Sequence, residues 1–419
     1  VNRAAIRRRT PLVVAAVVVL AVGGYFGGRL LLFQHHLRAA RLALDDQDYD
    51  EARPHIAACL RLRPDSAEVH FVAARGLRRA GFYDDAADHL RECQRLVGET
   101  PDVLLEWAML GAARGELPEN EPFLQARLDE GAPEAGLILE ALAQGSIHIY
   151  HLGRARHYLE ELLAREPDNV LGLMWQGWQY ETSGRAADAL EKYRRAVRLR
   201  PRQPQVRLRL AQLALRRGEL AEAEGHLEEL RRRGYKRPEV LLALAQCRAQ
   251  AADPARARQL LDELLAESPD DSDALAERGK LALQEGDAEG AERLLRRAVD
   301  LTPQDRQALN FLAQALSQQG KTREAAEYAA RLGRIEEEMK RLEAVYKKMS
   351  QSPNDAGLRC EAGVICLRNG QDDEALRWLT GALQLDPAYA PAHETLAEYY
   401  ERNGQPALAA RHRRLAGAK

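Results

Sequence analysis

A spacing of 34 residues governs this chain of 419. In a frame opened at Val170, Gly177 takes the eighth place, Tyr180 the eleventh, Ala189 the twentieth, Tyr193 the twenty-fourth, Ala196 the twenty-seventh and Pro201 the thirty-second. The frame stays in phase, in steps of 34, from Asp102 to Met339. A unit of this length is one supersecondary element that cannot bury its apolar face alone, so neighbours must stack into a continuous core.

The invariances within the frame have steric reasons. The eighth place reads Ala143, Gly177, Ala211, Ala245, Gly279 and Ala313; the twentieth reads Ala155, Ala189, Ala223, Ala257, Ala291 and Ala325. Two helices that cross closely tolerate only small side chains at the crossing. Pro133, Pro167, Pro201, Pro269 and Pro303 hold the thirty-second place, where a ring without an N–H stops the second helix of a pair; Tyr235 and Glu337 depart from the column. Towards the N-terminus, Ala40, Ala52 and Pro64 fit a repeat from Phe33, and Ala74, Ala86 and Pro101 fit the next. Residues 102–135 are the most degenerate, with Met109 and Glu121 in the small columns. Gly363, Ala375, Ala382 and Pro387 mark a regular repeat over 356–389, and Ala397 and Ala409 a final truncated one. Roughly eleven helix pairs result.

The signature resembles the tetratricopeptide repeat. That resemblance implies an all-α, right-handed superhelical solenoid whose inner surface is lined by first helices and binds partner segments. The ninth place of the first helix, a groove position in the family, reads Gln144, Trp178, Gln212, Gln246, Lys280 and Gln314. Glutamine both donates and accepts, so a row of amides could hold an extended ligand's backbone, with Met174 and Trp178 as an apolar anchor and Asn310, at the fifth place of a later repeat, counted with the groove. The plain alternative is that glutamine is simply a good exposed helix former. The carboxylate clamp that grips chaperone tails is missing: its fifth-place positions hold Leu208, Leu242, Ala276 and Asn310.

The N-terminus carries a physical address. Arg3, Arg7, Arg8 and Arg9 precede an apolar stretch from Leu12 to Phe33 whose one charge is Arg29. That length spans a bilayer, and the flanking arginines place the array on the extracytoplasmic side of a bacterial inner membrane; Arg38 and Arg41 favour the opposite, cytoplasm-facing topology. A cleaved signal peptide is the competing reading, given Gly23 and Gly24 after the first apolar run. The organisation expected is a basic segment at 1–11, a transmembrane helix at 12–33, an array of about nine repeats at 34–339, a helix extension and linker at 340–355, and a C-terminal block at 356–419.

One segment breaks the period. Leu332, Ile335, Met339, Leu342, Tyr346 and Met349 are spaced three and four apart, the stripe of one long amphipathic helix. It reads as a lengthened second helix covering the first array, or as a short coiled-coil seam joining two copies through 332–349.

Composition and local motifs argue against chemistry. Net charge is −2 and no basic stripe with interleaved aromatics occurs, against a nucleic-acid binder. The five cysteines form no CxxC pair and read as small buried hydrophobes. DDQDYDEA at 45–52 lacks the glycine and closing glutamate of a calcium loop, and His148 and His151 have no third ligand at metal spacing. His35 and His36 are read as marking a membrane interface. No nucleophile or phosphate motif appears, so no cofactor and no enzyme activity is expected. The function expected is a membrane-anchored scaffold for other proteins or peptides in an envelope or secretion assembly, or else an exported soluble binder or regulatory subunit.

Overall fold

The computed structural model describes residues 3–46, 48–235, 237–352 and 354–417, with the side chains of 3–23, 50 and 350 outside the description. The described residues form 22 helices and no strand. The basic segment and the first half of the apolar stretch therefore fall where side chains are not described. Among the described residues no helix is long and apolar enough to cross a membrane.

The chain divides into two compact units, one of Val1–Gln144 with Arg202–Pro204, the other of Gly145–Pro201 with Gln205–Lys419. In the first unit, helix Arg3–Asp45 passes from exposed apolar residues into the core within one turn: Leu31 is 74% exposed, whereas Phe33, Leu37 and Ala40 are buried against helices Tyr49–Leu62 and Ala67–Ala80. Packing thus begins where the frame places its first repeat. His36 does not face outward. Its Nδ1 meets Nδ1 of His55 at 2.9 Å inside the first pair. The Asp48 carboxylate in the DDQDYDEA run caps the second helix, accepting from Glu51 N–H at 3.1 Å.

Further along this unit three arginines of helix Ala67–Ala80 meet two buried glutamates. Arg75 and Arg78 donate to Glu106 at 2.9 and 2.6 Å, and Arg79 donates to Glu140 at 2.8 Å. Where Met109 breaks the small column, the neighbouring surface opens into a cavity of about 500 Å³ with Trp107 and the exposed Leu104 and Phe123 in its wall.

In the second unit the small columns do what their sizes suggest. Ala155, Ala189, Ala223, Ala257 and Ala291 are fully buried. A Cβ at Gly279 would lie 2.5 Å from Leu295 and one at Gly363 2.7 Å from Leu379, so the eighth place faces the twenty-fourth. Asn169, Asp253, Asp271, Asp287, Asp305 and Asp355 each cap the helix that follows them through their side chains. All five cysteines of the chain are free and buried.

Helix Thr322–Gln351 is a single helix of 30 residues. Leu332, Ile335 and Met339 pack on the repeats before it; Leu342, Val345, Tyr346 and Met349 pack on helices Ala356–Arg368 and Asp372–Leu385 after it. The stripe is turned into its own unit, the arrangement of a lengthened second helix, and it joins the 356–419 repeats to those before them.

The second unit also touches itself over a long sequence distance. Arg359, buried, donates through Nη1 to the carbonyl of Ile149 at 2.9 Å across 210 residues. The Tyr150 ring stacks on Trp378, with centroids 4.2 Å apart and planes at 19°. Gln304 adds a third contact, Nε2 donating to Arg368 O at 3.2 Å.

Candidate functional site

First helices Pro204–Arg216, Pro238–Gln250, Ser272–Gln284 and Arg306–Gln318 of the second unit share the wall of a cavity of about 460 Å³. Each exposes one face at the second, ninth and thirteenth places of the frame, seven and four residues apart and so aligned along a helix. Glu239, Asp273 and Gln307 supply the second place; Gln212, Gln246 and Lys280 the ninth; Arg216 and Gln250 the thirteenth. Leu215, Leu242 and Ala243 form the apolar part of the wall.

Three of the residues anticipated from the sequence, Gln212, Gln246 and Lys280, are brought together here. The others are not. Met174 is 8% exposed and packed among core side chains, which removes it as an anchor. Trp178 is half-buried on helix Val170–Thr182, outside the cavity wall, and Asn310 and Gln314 are exposed, also outside it. Gln144 belongs to the other unit, where its Nε2 donates to Arg78 O at 3.4 Å. Glu239, Asp273, Gln250 and Gln307 were passed over; the signal that finds them is the same frame read at its second and thirteenth places.

The cavity's charges are unevenly matched. Glu277, almost fully buried, accepts from Lys280 Nζ at 2.7 Å and Gln307 Nε2 at 3.3 Å, while Lys280 lies 5.9 Å over the Phe311 ring. Arg216 is paired with Glu181. Both cations therefore already have carboxylates. Glu239 and Asp273 have no ion-pair partner among the described residues. Partial burial, then the neighbouring Asp271 and Asp305, push the Asp273 carboxyl above its ordinary value. The face offers amide donors and acceptors with two uncompensated carboxylates. It holds no arrangement of nucleophile and base, and among the described residues no group of three or more metal-ligating side chains converges.

Fold and face together define a helix-pair repeat solenoid. Sequence models of the tetratricopeptide repeat match residues 37–97 and 151–204, 182–247 and 282–348, and 239–271, together more than half of the chain. The chain belongs to the tetratricopeptide-repeat family, whose fold serves as a scaffold for interaction with other proteins. Among curated proteins no match is found. Similar solved structures include PilW, a type IV pilus biogenesis factor, at 20% identity over 48% of this chain and 93% of that one, TM-score 0.44. The human IFIT1 dimer with m7Gppp-AAAA aligns at 18% identity over 84% and 91%, TM-score 0.40. A thermophilic tetratricopeptide-repeat protein from Thermus thermophilus aligns at 20% over 47% and 99%, TM-score 0.35. At such identities the likeness concerns the fold alone.

Proposed function

We propose that this chain is a membrane-anchored, non-catalytic scaffold that holds an extended segment of a partner protein in the cavity lined by Gln212, Gln246, Glu239 and Asp273. The observation that carries this reading is the row of half-exposed amides and unpaired carboxylates contributed by successive first helices to one concavity. Amides satisfy a peptide backbone whatever its sequence, and the open carboxylates favour segments bearing lysine or arginine. The anchor is argued from the apolar stretch Leu12–Phe33 and from the exposed Tyr25, Phe26 and Leu31 beside the first repeat. With the leading arginines retained in the cytoplasm, the array faces outward and its clients belong to an envelope or secretion assembly.

Site-specific photo-crosslinking in cells tests both parts. A crosslinking residue at Gln246 should capture a discrete partner that Gln212→Trp, at a half-exposed position of the cavity wall, abolishes, while the same residue at Arg293, exposed on helix Ala288–Leu301, should capture none. Equal capture at both positions sinks the groove reading. Recovery of a protein lacking the apolar stretch sinks the anchor and leaves an exported binder.

A further inference from the structure

At the turn inside a repeat pair, eight repeats place a glycine with positive φ, from Gly81 to Gly404; helix Pro238–Gln250 is followed instead by the small Ala252 at φ 60°, and helix Ala135–His148 by Tyr150 at φ 55°. A tyrosine is strained in the left-handed region. Its ring explains the choice: it stacks on Trp378, which is itself 5.5 Å from the Tyr346 ring. A second constraint sits one residue away. A Cβ at Gly381 would lie 2.8 Å from the Ile149 carbonyl oxygen, so only glycine lets helix Asp372–Leu385 reach that backbone, and the buried Arg359 then donates to the same carbonyl. A strained tyrosine from one repeat, and an obligatory glycine and a buried arginine from another 210 residues further on, all serve one contact. Packing between adjacent repeats requires none of them.

Arginines also face both histidines of the contact. His148 faces Arg377 from helix Asp372–Leu385; His151 faces Arg359 from helix Ala356–Arg368 and Arg154 from its own helix. Glu374 lies near Tyr150 and accepts from the Tyr346 hydroxyl at 3.1 Å. Both imidazoles are half-buried. Protonating them would set two new cations beside Arg377, Arg359 and Arg154.

We propose that the contact of residues 148–151 with Arg359, Trp378 and Gly381 is a clasp that fastens the second unit to itself and is released by protonation of His148 and His151. Closed, it fixes the curvature of the helices between its two ends, including those lining the cavity; released, it lets that stretch of solenoid open as a spring. The proposal does not depend on what the cavity binds. Burial first, then the facing arginines, hold both imidazoles down at about 4 in the closed form. A released histidine returns to about 6.5. The closed form therefore has its full advantage above about pH 6.5 and loses it as pH falls towards 4. At about pH 5 the shift towards the open form is about 30-fold per histidine.

The test is a distance measurement on the full chain, with spin labels on Arg156→Cys and Asp373→Cys, both exposed positions, the native cysteines being buried. One short, narrow distance is expected near neutral pH and a longer, broader distribution at about pH 5. Replacing His148 and His151 together by glutamine should keep the short distance at both pH values. Gly381→Val should give the long distance at neutral pH with helical circular dichroism retained. A distance in the unsubstituted chain that ignores pH overturns the proposal, whatever Gly381→Val does. Lengthening that persists in the double glutamine variant overturns it too. Neither readout involves a partner, so failure of the groove reading leaves this one standing, and the reverse.

Discussion

The ring of Tyr193 fills the space that a side chain at Gly177 would need: a Cβ there would stand 2.6 Å from Cε1. The same ring donates its hydroxyl to Glu181 at 2.9 Å, so it is pinned at both ends and has little room to retreat. Gly177→Val should therefore destabilise the second unit by about 1–3 kcal/mol, the usual cost of overpacking. Gly225, on helix Leu220–Arg232 with nothing within 4 Å of its added Cβ, is the control. Gly225→Ala should stabilise by about 0.5–1 kcal/mol through helix propensity. Urea unfolding of the two variants checks the pair, and equal effects would show that the crossing is not the tight point.

Ala189 is fully buried at the partner column of the same crossing. Ala189→Glu puts an unpaired carboxylate between the helices, for which a cost of about 3–5 kcal/mol is expected. Because each repeat is stabilised by its neighbours, the loss should spread and broaden the melting transition. Unchanged helical signal and melting temperature would mean that the two helices do not meet there.

In the first unit the pair Arg78–Glu106 is buried on both sides. Burial alone pushes the Glu106 carboxyl up, but Arg78 and Arg75 outweigh it and hold the group below its ordinary value. A depressed carboxylate contributes stability that is complete above its unfolded value, about 4.3, and is lost as pH falls through the folded one. Glu106→Gln removes that contribution and leaves Arg78 buried beside a neutral amide, at an expected cost of about 3–5 kcal/mol. Trp107, hydrogen-bonded to Gln94 at 2.8 Å, reports unfolding by its fluorescence. The variant's denaturation midpoint should be lower near neutral pH and flatter in acid; a midpoint like that of the unsubstituted chain would make the pair energetically idle.

What could be read from the sequence was whatever the 34-residue frame repeats. The alanine columns, the prolines that end second helices and the long helix through Leu332 and Met349 follow from local sterics and periodicity, and they reappear in place. The cavity wall was half legible. Gln212, Gln246 and Lys280 came from the ninth place, but the face also uses the second and thirteenth, and Met174 proved to point into the core. Arg78 and Glu106 were invisible because charges on a helix ordinarily read as a solvated face, and only the packing of a helix two elements later buries them. Tyr150 was illegible for a related reason. Its partner Trp378 is linked to it by no period of the repeat, so nothing nearby explains a tyrosine where glycine is usual.

One further relationship recurs at a fixed pair of repeat positions, 19 residues apart: His36 with His55, His70 with His89 and His393 with His412, each Nδ1 to Nδ1 at 2.9–3.0 Å. Arg207 with His226 takes the same two places. In the last pair His393 Nε2 donates to the Pro387 carbonyl at 3.0 Å, as Arg207 does to Pro201 at 2.6 Å, which leaves His393 Nδ1 the acceptor and His412 Nδ1 the donor. Burial first, then His393 and Arg411, lower the His412 value, so the neutral form is the one the fold prefers. For a group lowered on folding, stability is full above its unfolded value, about 6.5, and declines as pH falls below it. Helix Pro406–Gly417 packs chiefly against helix Ala390–Arg402, so it should fray early. Amide exchange in that helix should speed up several-fold between about pH 7 and about pH 5, after correction for intrinsic exchange rates, and His412→Gln, which cannot be charged, should remove most of that pH dependence. Persistence of the acid response in His412→Gln would place its origin elsewhere.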